Sequence, residues 1–210
     1  GQCPAVISGD LLIHGGLLAS RLPQGTVNDE QNFLKLLQDM PLGKDITVFS
    51  IIPRLLVSDN LLPDAWYQWH LMRYSTLRDI VEQFGDYPST AQLEKIKNKI
   101  PQEILQKYNV LYSTNDSFNK QLAALCAAKN YTLVIGQDDA QPFGLPNRNR
   151  THAETYMRRA GLSIGSTTTC GADEIAQMLI ARRFCQINNY KPKFYIEYTT
   201  SNAATAIMPY

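Results

Sequence analysis

The sequence predicts an α/β fold, a mainly parallel sheet whose strands alternate with helices. Two observations support this fold class. Short apolar runs rich in β-branched residues recur along the chain, and amphipathic helical patterns lie between them. An open doubly wound sheet and part of a (β/α) barrel both produce this alternation, so the sequence leaves both architectures open. With 210 residues, residues 1–210 are expected to form a single α/β domain that buries about 70% of its unfolded surface.

Five strands are predicted, each a short apolar run bounded by turn residues. The clearest is Ile46–Ile52 (ITVFSII), which is mostly β-branched and stops at a proline. The others, in chain order, are Ala5–Ser8, 131–135, 162–168 and 193–198. The intervening segments are long enough for helices, so neighbouring strands are expected to run parallel.

Three of the predicted helices have clear limits or a clear apolar face. The first begins at Asn28 or Asp29 as its N-cap and ends before Pro41. Two others are expected at 147–160 and 172–186. The apolar face of the last one is predicted to consist of Ile175, Met178, Leu179 and Phe184.

The segment between the second and third strands is expected to form a helical excursion at about 60–112. A helix that ends at residue 84 is followed by a lysine-rich stretch, which Pro101 divides into two short helices. A new helix is then expected to begin at Ser113 or Thr114. Four aromatic residues of the first helix are expected to pack rather than to form a stacking surface: Trp66, Tyr67, Trp69 and Tyr74.

Charge and composition argue against several classes of partner. The 20 lysines and arginines nearly balance the 19 aspartates and glutamates, so nothing indicates binding to nucleic acid or to an anionic membrane. No apolar run reaches the roughly 20 residues that a membrane span requires. No organic cofactor is predicted, because the nucleotide-binding motifs G-x-G-x-x-G and G-x-x-x-x-G-K-[ST] are absent from the sequence.

The cysteines show no pattern of a metal site or a disulfide framework. The four of them are scattered and have no zinc-site spacing; they are Cys3, Cys126, Cys170 and Cys185. They are expected to be free thiols, with one disulfide pair as the alternative. No signal peptide is present, so we expect a cytoplasmic location, although the sequence begins at Gly1 rather than at a methionine.

Polar and charged residues follow the predicted strands at the points where the strands end. Ligands of parallel α/β sheets bind beyond these carboxyl ends, so the residues there are candidates for a site. Asp138 and Asp139, after the third strand, are the expected catalytic residues. The expected substrate-binding residues are Asp10, His14 and Arg21 after the first strand, Arg54 after the second, Gln137 at the end of the third, and Asp173 and Glu174 after the fourth.

These residues also have ordinary structural interpretations. Either member of the acidic pair could form an Asx turn. Asp173 could cap the following helix, and Glu174 could interact with its dipole. Arg54 could serve as an ion-pair partner and His14 as a turn residue.

Five segments, taken together, resemble a bacterial family of unknown function, the one catalogued as domain of unknown function number 4127. They are SGDLLIHGGLLASR (8–21), FSIIPRL (49–55), MRYS (72–75), IGQDDAQPFG (135–144) and GADEIAQMLIAR (171–182). Their order and approximate spacing also agree, over nearly all of the chain. The sequence departs from the family at His14, where an aromatic residue such as tyrosine is common, and at Pro53.

The resemblance implies a piece of a longer protein and no particular activity. We therefore expect an incomplete sheet with an exposed edge strand. Such an edge would pair with the remainder of the parent chain or with a second copy in a homo-oligomer.

Three chemistries suit adjacent carboxylates at a strand end. In glycoside cleavage one acid protonates the leaving oxygen while a second carboxylate stabilises positive charge on the sugar. The pair Asp138 and Asp139 looks like the tandem acids of O-GlcNAc-type hydrolases, and this chemistry is the one we expect, with a carbohydrate or other small molecule as substrate. In metal-assisted hydrolysis the pair would hold a divalent metal ion together with Asp10 and Asp173. In a non-catalytic binding domain the pair would accept hydrogen bonds, while Arg21 and Arg54 hold a carboxylate or phosphate.

Overall fold

The structure is a computed structural model that describes residues 4–16, 27–43, 45–56, 64–85, 87–138, 141–162, 165–193 and 195. These residues contain an all-parallel four-stranded sheet in the order β1-β2-β3-β4. Its strands are β1 (Ala5–Ser8), β2 (Ile46–Ile52), β3 (Thr132–Gln137) and β4 (Thr167–Cys170). The predicted α/β fold with a parallel sheet is therefore confirmed.

The strand boundaries agree with the sequence most closely in the first half of the chain. Strands β1 and β2 have the predicted limits. Strand β3 continues to Gln137, beyond its predicted end at residue 135. Strand β4 begins at Thr167, whereas the prediction placed its start at residue 162. The predicted fifth strand at 193–198 falls on a segment that lies mostly outside the described residues.

Helices fill the intervals between the strands. A short 3-10 turn, Asp64–Tyr67, precedes the helices of the excursion. The α-helices are α1 (Gly9–His14), α2 (Val27–Asp39), α3 (Gln68–Phe84), α4 (Tyr87–Lys97), α5 (Gln102–Lys129), α6 (Leu145–Ala160) and α7 (Ile175–Ile187).

The predicted helix start at Ser113 or Thr114 is wrong, because α5 runs unbroken through both residues over 28 residues. Glycine and proline are absent from residues 102–129, so nothing in the backbone interrupts the helix. The hydroxyl of Ser113 donates a hydrogen bond to the carbonyl of Val110 (3.1 Å), a bond that is compatible with a helix interior. The helix is about 42 Å long, long enough to pack against two separate cores.

Helices cover both faces of the described sheet. On one face Val48, Ile52, Leu133 and Ile135 form a core with α2, α5 and α6. On the other face Phe49, Ile51 and Val134 pack against Ile175 and Leu179 of α7. The helices that connect the four strands, α2, α5 and α6, therefore lie on one face, and α7, which follows β4, covers the other.

The close approach of α7 to the sheet depends on a glycine in β3. A Cβ atom on Gly136 would lie 2.7 Å from the carbonyl oxygen of Gly171 and 2.9 Å from Cδ1 of Ile51, and it would collide with Cδ1 of Ile175. A side chain at this position would therefore push α7 away from the strands.

The helical excursion has a core of its own. Leu71 and Tyr74 of α3 pack against Ile104 and Tyr108 in the first half of α5. The second half of α5 packs against the sheet through residues such as Leu122. A single helix therefore takes part in both cores and joins the excursion to the sheet.

Two predictions about apolar packing are only partly right. Of the four aromatic residues, Tyr74 is buried, but Trp66 and Trp69 are 84% and 79% exposed. On α7 the residues Ile175 and Leu179 are buried, whereas Met178 and Phe184 are 51% and 64% exposed. The described residues cover only one stripe of α7, so part of the apolar face that the sequence suggests is exposed there.

Candidate functional site

The carboxyl ends of β2 and β3 lie side by side and position the residues that follow them. Ile52 pairs with Gln137 in the sheet. The amide of Asp138 donates a hydrogen bond to the carbonyl of Ile52 (3.2 Å), which extends the pairing by one residue. Asp138 is half-buried at this edge, and its neighbour Asp139 lies outside the described residues.

Tyr112 of α5 connects Asp138 to the segment after β2. Its hydroxyl donates a hydrogen bond of 2.6 Å to the main-chain carbonyl of Arg54. Burial raises the pKa of Tyr112 well above its usual value, and the charges of Tyr108 and Asp138 raise it further. The main chain of Arg54, which Tyr112 holds, and that of Asp138, which bonds to Ile52, therefore lie at the same edge of the sheet.

Asp10 lies on the other side of β2 and has a structural role. Strand β1 ends at Ser8, which pairs with Phe49, so the amide of Ile51 lies beyond the last residue pair of these two strands. A carboxylate oxygen of Asp10, which is 7% exposed, accepts this hydrogen bond at 2.8 Å. The side chain of Asn115 donates to the carbonyl of the same Ile51 at 3.1 Å. The side chain of Asp10 therefore takes the place of a strand partner for Ile51, at the carboxyl edge of the sheet.

Gln137, the last residue of β3, is buried, and its side-chain amide has no partner in the described part of the chain. Its side chain is 1% exposed, and neither its amide nitrogen nor its amide oxygen has a hydrogen-bond partner among the described residues. Side chains alternate along a strand, so Gln137 points to the same face as Ile135, towards α5 and α6. Buried amides are almost always hydrogen-bonded, which makes Gln137 an unusual residue at this edge.

The remaining sequence candidates are more dispersed. His14 is the last residue of α1, where burial lowers its pKa and the charge of Asp29 opposes that effect. Asp173 and Glu174 are exposed in the turn before α7. Arg21 lies outside the described residues.

A buried glutamate near the same edge was missed in the sequence analysis. Glu30 of α2 is 8% exposed, and burial raises its pKa to about 7. Helix α2 returns from the carboxyl edge to the start of β2, so its first turn lies at that edge. Phe33, one turn further along, touches the position of Gly9 directly after β1. The spacing of Glu30 with Phe33 and Leu37 on one helical stripe could have revealed its burial.

The turn after the acidic pair, Gln141–Gly144, is held by helix α3. The amide of Gly144 donates to a carboxylate oxygen of Asp79 (2.8 Å), and the amide of Leu145 donates to the hydroxyl of Ser75 (2.7 Å). Asp79 is 1% exposed and also accepts from the side chain of Asn147 (3.1 Å). Two residues of the excursion therefore cap the N-terminus of α6, a role usually filled by a local residue.

The described residues contain neither a membrane-spanning helix nor a cluster of metal-ligating side chains. No helix in this part of the chain combines the length and hydropathy that crossing a membrane requires. Within the same ranges, no group of three or more His, Cys, Asp or Glu side chains is arranged to hold a metal ion. The described cysteines, Cys126, Cys170 and Cys185, are free thiols.

The fold and this edge define the chain as a parallel α/β protein with polar residues grouped where its strands end. A comparison with protein families matches residues 2–210 to the family described as "Protein of unknown function (DUF4127)". The chain belongs to this family, which confirms the resemblance seen in the sequence. A comparison with curated proteins found no match, and neither did a comparison with solved structures.

Proposed function

We propose that the protein is a carbohydrate-directed hydrolase that acts at the carboxyl edge of the sheet, with Asp138 and Asp139 supplying the carboxylates. The observation that carries this proposal is the position of Asp138, half-buried where β2 and β3 end, next to the segment of Arg54 that Tyr112 holds. Ligands of open α/β sheets bind at such an edge. The half-buried carboxylate of Asp138 can accept hydrogen bonds from a sugar at this edge, while the buried Tyr112 holds the neighbouring segment in place.

Glycoside cleavage needs one carboxyl group that is protonated near neutral pH and one that is ionised. Among the described residues, Glu30 is a carboxyl group whose pKa is raised to about 7. A group with this pKa can serve as the general acid at neutral pH. Under the proposal, Glu30 and the acidic pair are the candidates for the two roles.

The exposed tryptophans favour a carbohydrate over other substrates. Trp66 and Trp69 lie at the start of the excursion that follows β2, and their rings are 84% and 79% exposed. An exposed indole ring presents a flat apolar surface with a polar N–H group. The C–H faces of pyranose rings pack well on such surfaces, which supports a sugar as the ligand.

The test is turnover of a panel of aryl glycosides by the wild-type protein and by Asp138→Asn, Asp139→Asn and Glu30→Gln. Loss of turnover in the Asp138 and Asp139 variants, with an unchanged circular dichroism spectrum, would support the proposal. Asp39→Asn is the matched control, because Asp39 is exposed at the other end of α2. Unchanged turnover in both acidic-pair variants would refute the proposed roles.

Two other outcomes would point to the alternative functions. A bound divalent ion that is lost in the Asp138 variant and removed by a chelator would indicate metal-assisted hydrolysis. Binding of a sugar without turnover would indicate a non-catalytic ligand-binding domain. Metal analysis of the purified protein and calorimetry with oligosaccharides distinguish these outcomes.

A further inference from the structure

A second potential site lies away from the sheet edge, on the outer side of α5. A cleft of about 770 Å³ opens there between α5, α6 and the helices of the excursion. Its walls include residues of four helices, and Asp10, Arg54 and Asp138 are not among them. The cleft is therefore distinct from the candidate hydrolase site.

The walls of this cleft carry an excess of positive charge. Among the described residues that line it, four carry a positive charge and one, Asp116, carries a carboxylate. The four are Arg78, Lys97, Lys120 and Arg148. A concave surface lined by one sign of charge concentrates ligands of the opposite sign.

The single carboxylate of the cleft is already engaged. Both oxygens of Asp116 lie 3.2 Å from Nδ1 of His152, and the hydroxyl of Tyr156 donates a hydrogen bond to Oδ2 at 3.2 Å. The hydrogen bonds of Asp116 therefore go to His152 and Tyr156. Among the described residues, it forms no ion pair with the arginines or lysines of the cleft.

Two of the cations have only neutral partners in the described part of the chain. Arg78 is half-buried, and its Nη1 donates to Oδ1 of Asn109 (2.6 Å) and to the hydroxyl of Tyr74 (2.9 Å). The ammonium of Lys120 lies 6.0 Å from the ring centre of Tyr156. Neither cation is therefore neutralised by a described carboxylate.

The other two cations are paired only weakly. Arg148 lies 3.6 Å from Glu82, and Lys97 lies 3.5 Å from Glu94. These carboxylates are 49% and 59% exposed. The Lys97–Glu94 pair is exposed on both sides and contributes little. Arg148 is 13% exposed, and at 3.6 Å its contact with Glu82 is too long for a hydrogen bond.

We propose that this cleft binds a small, multiply charged oxyanion, a molecule with phosphoryl or carboxylate groups. Guanidinium groups hold such oxyanions through two parallel hydrogen bonds. Arg78 is pre-oriented for this by its bonds to Asn109 and Tyr74, and Lys120 adds a second charge from α5. The opposing structural interpretation is that Arg78 merely ties α3 to α5.

Calorimetric titration at low ionic strength tests the proposal, with pyrophosphate and citrate as separate probes. The variants are Lys120→Gln and Arg78→Gln, and the matched control is Lys107→Gln. Lys107 lies on the same helix outside the cleft, where it pairs with exposed Glu103 at 3.2 Å. The control removes the same charge, so it separates specific binding from general attraction.

Binding of either probe that weakens about tenfold or more in both cleft variants, and not in the control, would support the proposal. Tighter binding of pyrophosphate would indicate a phosphorylated ligand, and tighter binding of citrate would indicate a polycarboxylate. No binding of either probe at millimolar concentration, or equal weakening in the control, would overturn the proposal.

Two cleft variants are used so that the test still gives an answer if one of them misfolds. Lys120→Gln removes only a ring contact, so it remains informative if Arg78→Gln unfolds the excursion. Asp138→Asn should bind the probe like the wild type. Failure of the hydrolase proposal would therefore leave this one unaffected.

Discussion

Replacement of Glu30 by glutamine should make the protein more stable at neutral and alkaline pH. Glu30 is 8% exposed, and burial alone raises its pKa from 4.5 to about 7. Glutamine has nearly the same shape and cannot ionise. The variant therefore removes the free energy that the folded protein loses when it holds a buried negative charge.

The sign and size of the effect follow from the two pKa values of Glu30. Below pH 4.5 the carboxyl group is protonated in both the folded and the unfolded chain, so wild type and variant differ little. As the pH rises towards about 7, the unfolded chain ionises first and the wild type loses stability. At about 1.36 kcal/mol for each pH unit, the full loss is about 3 kcal/mol.

Urea unfolding of both proteins at several pH values between 5 and 8 measures this difference. The advantage of Glu30→Gln should grow by about 2 to 3 kcal/mol across that range. His14 and every other titrating group are common to both proteins, so their contributions cancel in the comparison. Glu103→Gln is the control, because Glu103 is exposed on α5 and its loss should change stability by less than about 1 kcal/mol. A stability difference between wild type and Glu30→Gln that is constant with pH would refute the reasoning.

Three further predictions concern contacts that position the site. Asp79→Ala should lower the free energy of unfolding by about 2 to 4 kcal/mol, because it leaves the buried amide of Gly144 without its acceptor. Urea unfolding measures the change, and a loss below about 1 kcal/mol would contradict the prediction. Gly136→Ala should destabilise the protein by about 1 to 3 kcal/mol, because the added Cβ would lie 2.7 Å from a backbone carbonyl; a thermal melt equal to that of the wild type would show that α7 can shift freely. Tyr112→Phe should cost about 1 to 2 kcal/mol, because it removes the 2.6 Å hydrogen bond to Arg54; unchanged unfolding by urea would show that this bond contributes nothing.

The sequence by itself determined the class of the fold and the limits of its clearest elements. Strands β1 and β2 are short apolar runs that end at sharp local signals, so their boundaries could be predicted residue by residue. The local pattern also indicated that polar residues follow the strands. Both kinds of information reside in neighbouring residues, which is why the sequence shows them directly.

Only the tertiary structure decided which of those polar residues have partners elsewhere in the chain. Asp10 completes the pairing of Ile51, which is 41 positions away, and Asp79 accepts from the amide of Gly144, which lies 65 positions later at the start of α6. Neither role leaves a local pattern, because the partner is brought close only when the helices pack.

The same reason explains the errors in the helices and the sites that the sequence did not reveal. Ser113 has the residue type of a helix cap, but packing on two cores keeps α5 continuous through it. Trp66 and Trp69 have an apolar residue type, yet the excursion leaves them exposed. The cationic cleft combines Arg78 and Lys120, which are far apart in sequence, on adjacent helices. The sequence supplies residue types and local periodicity, whereas burial and partnership depend on which surfaces meet, and this is decided by the packing of the whole chain.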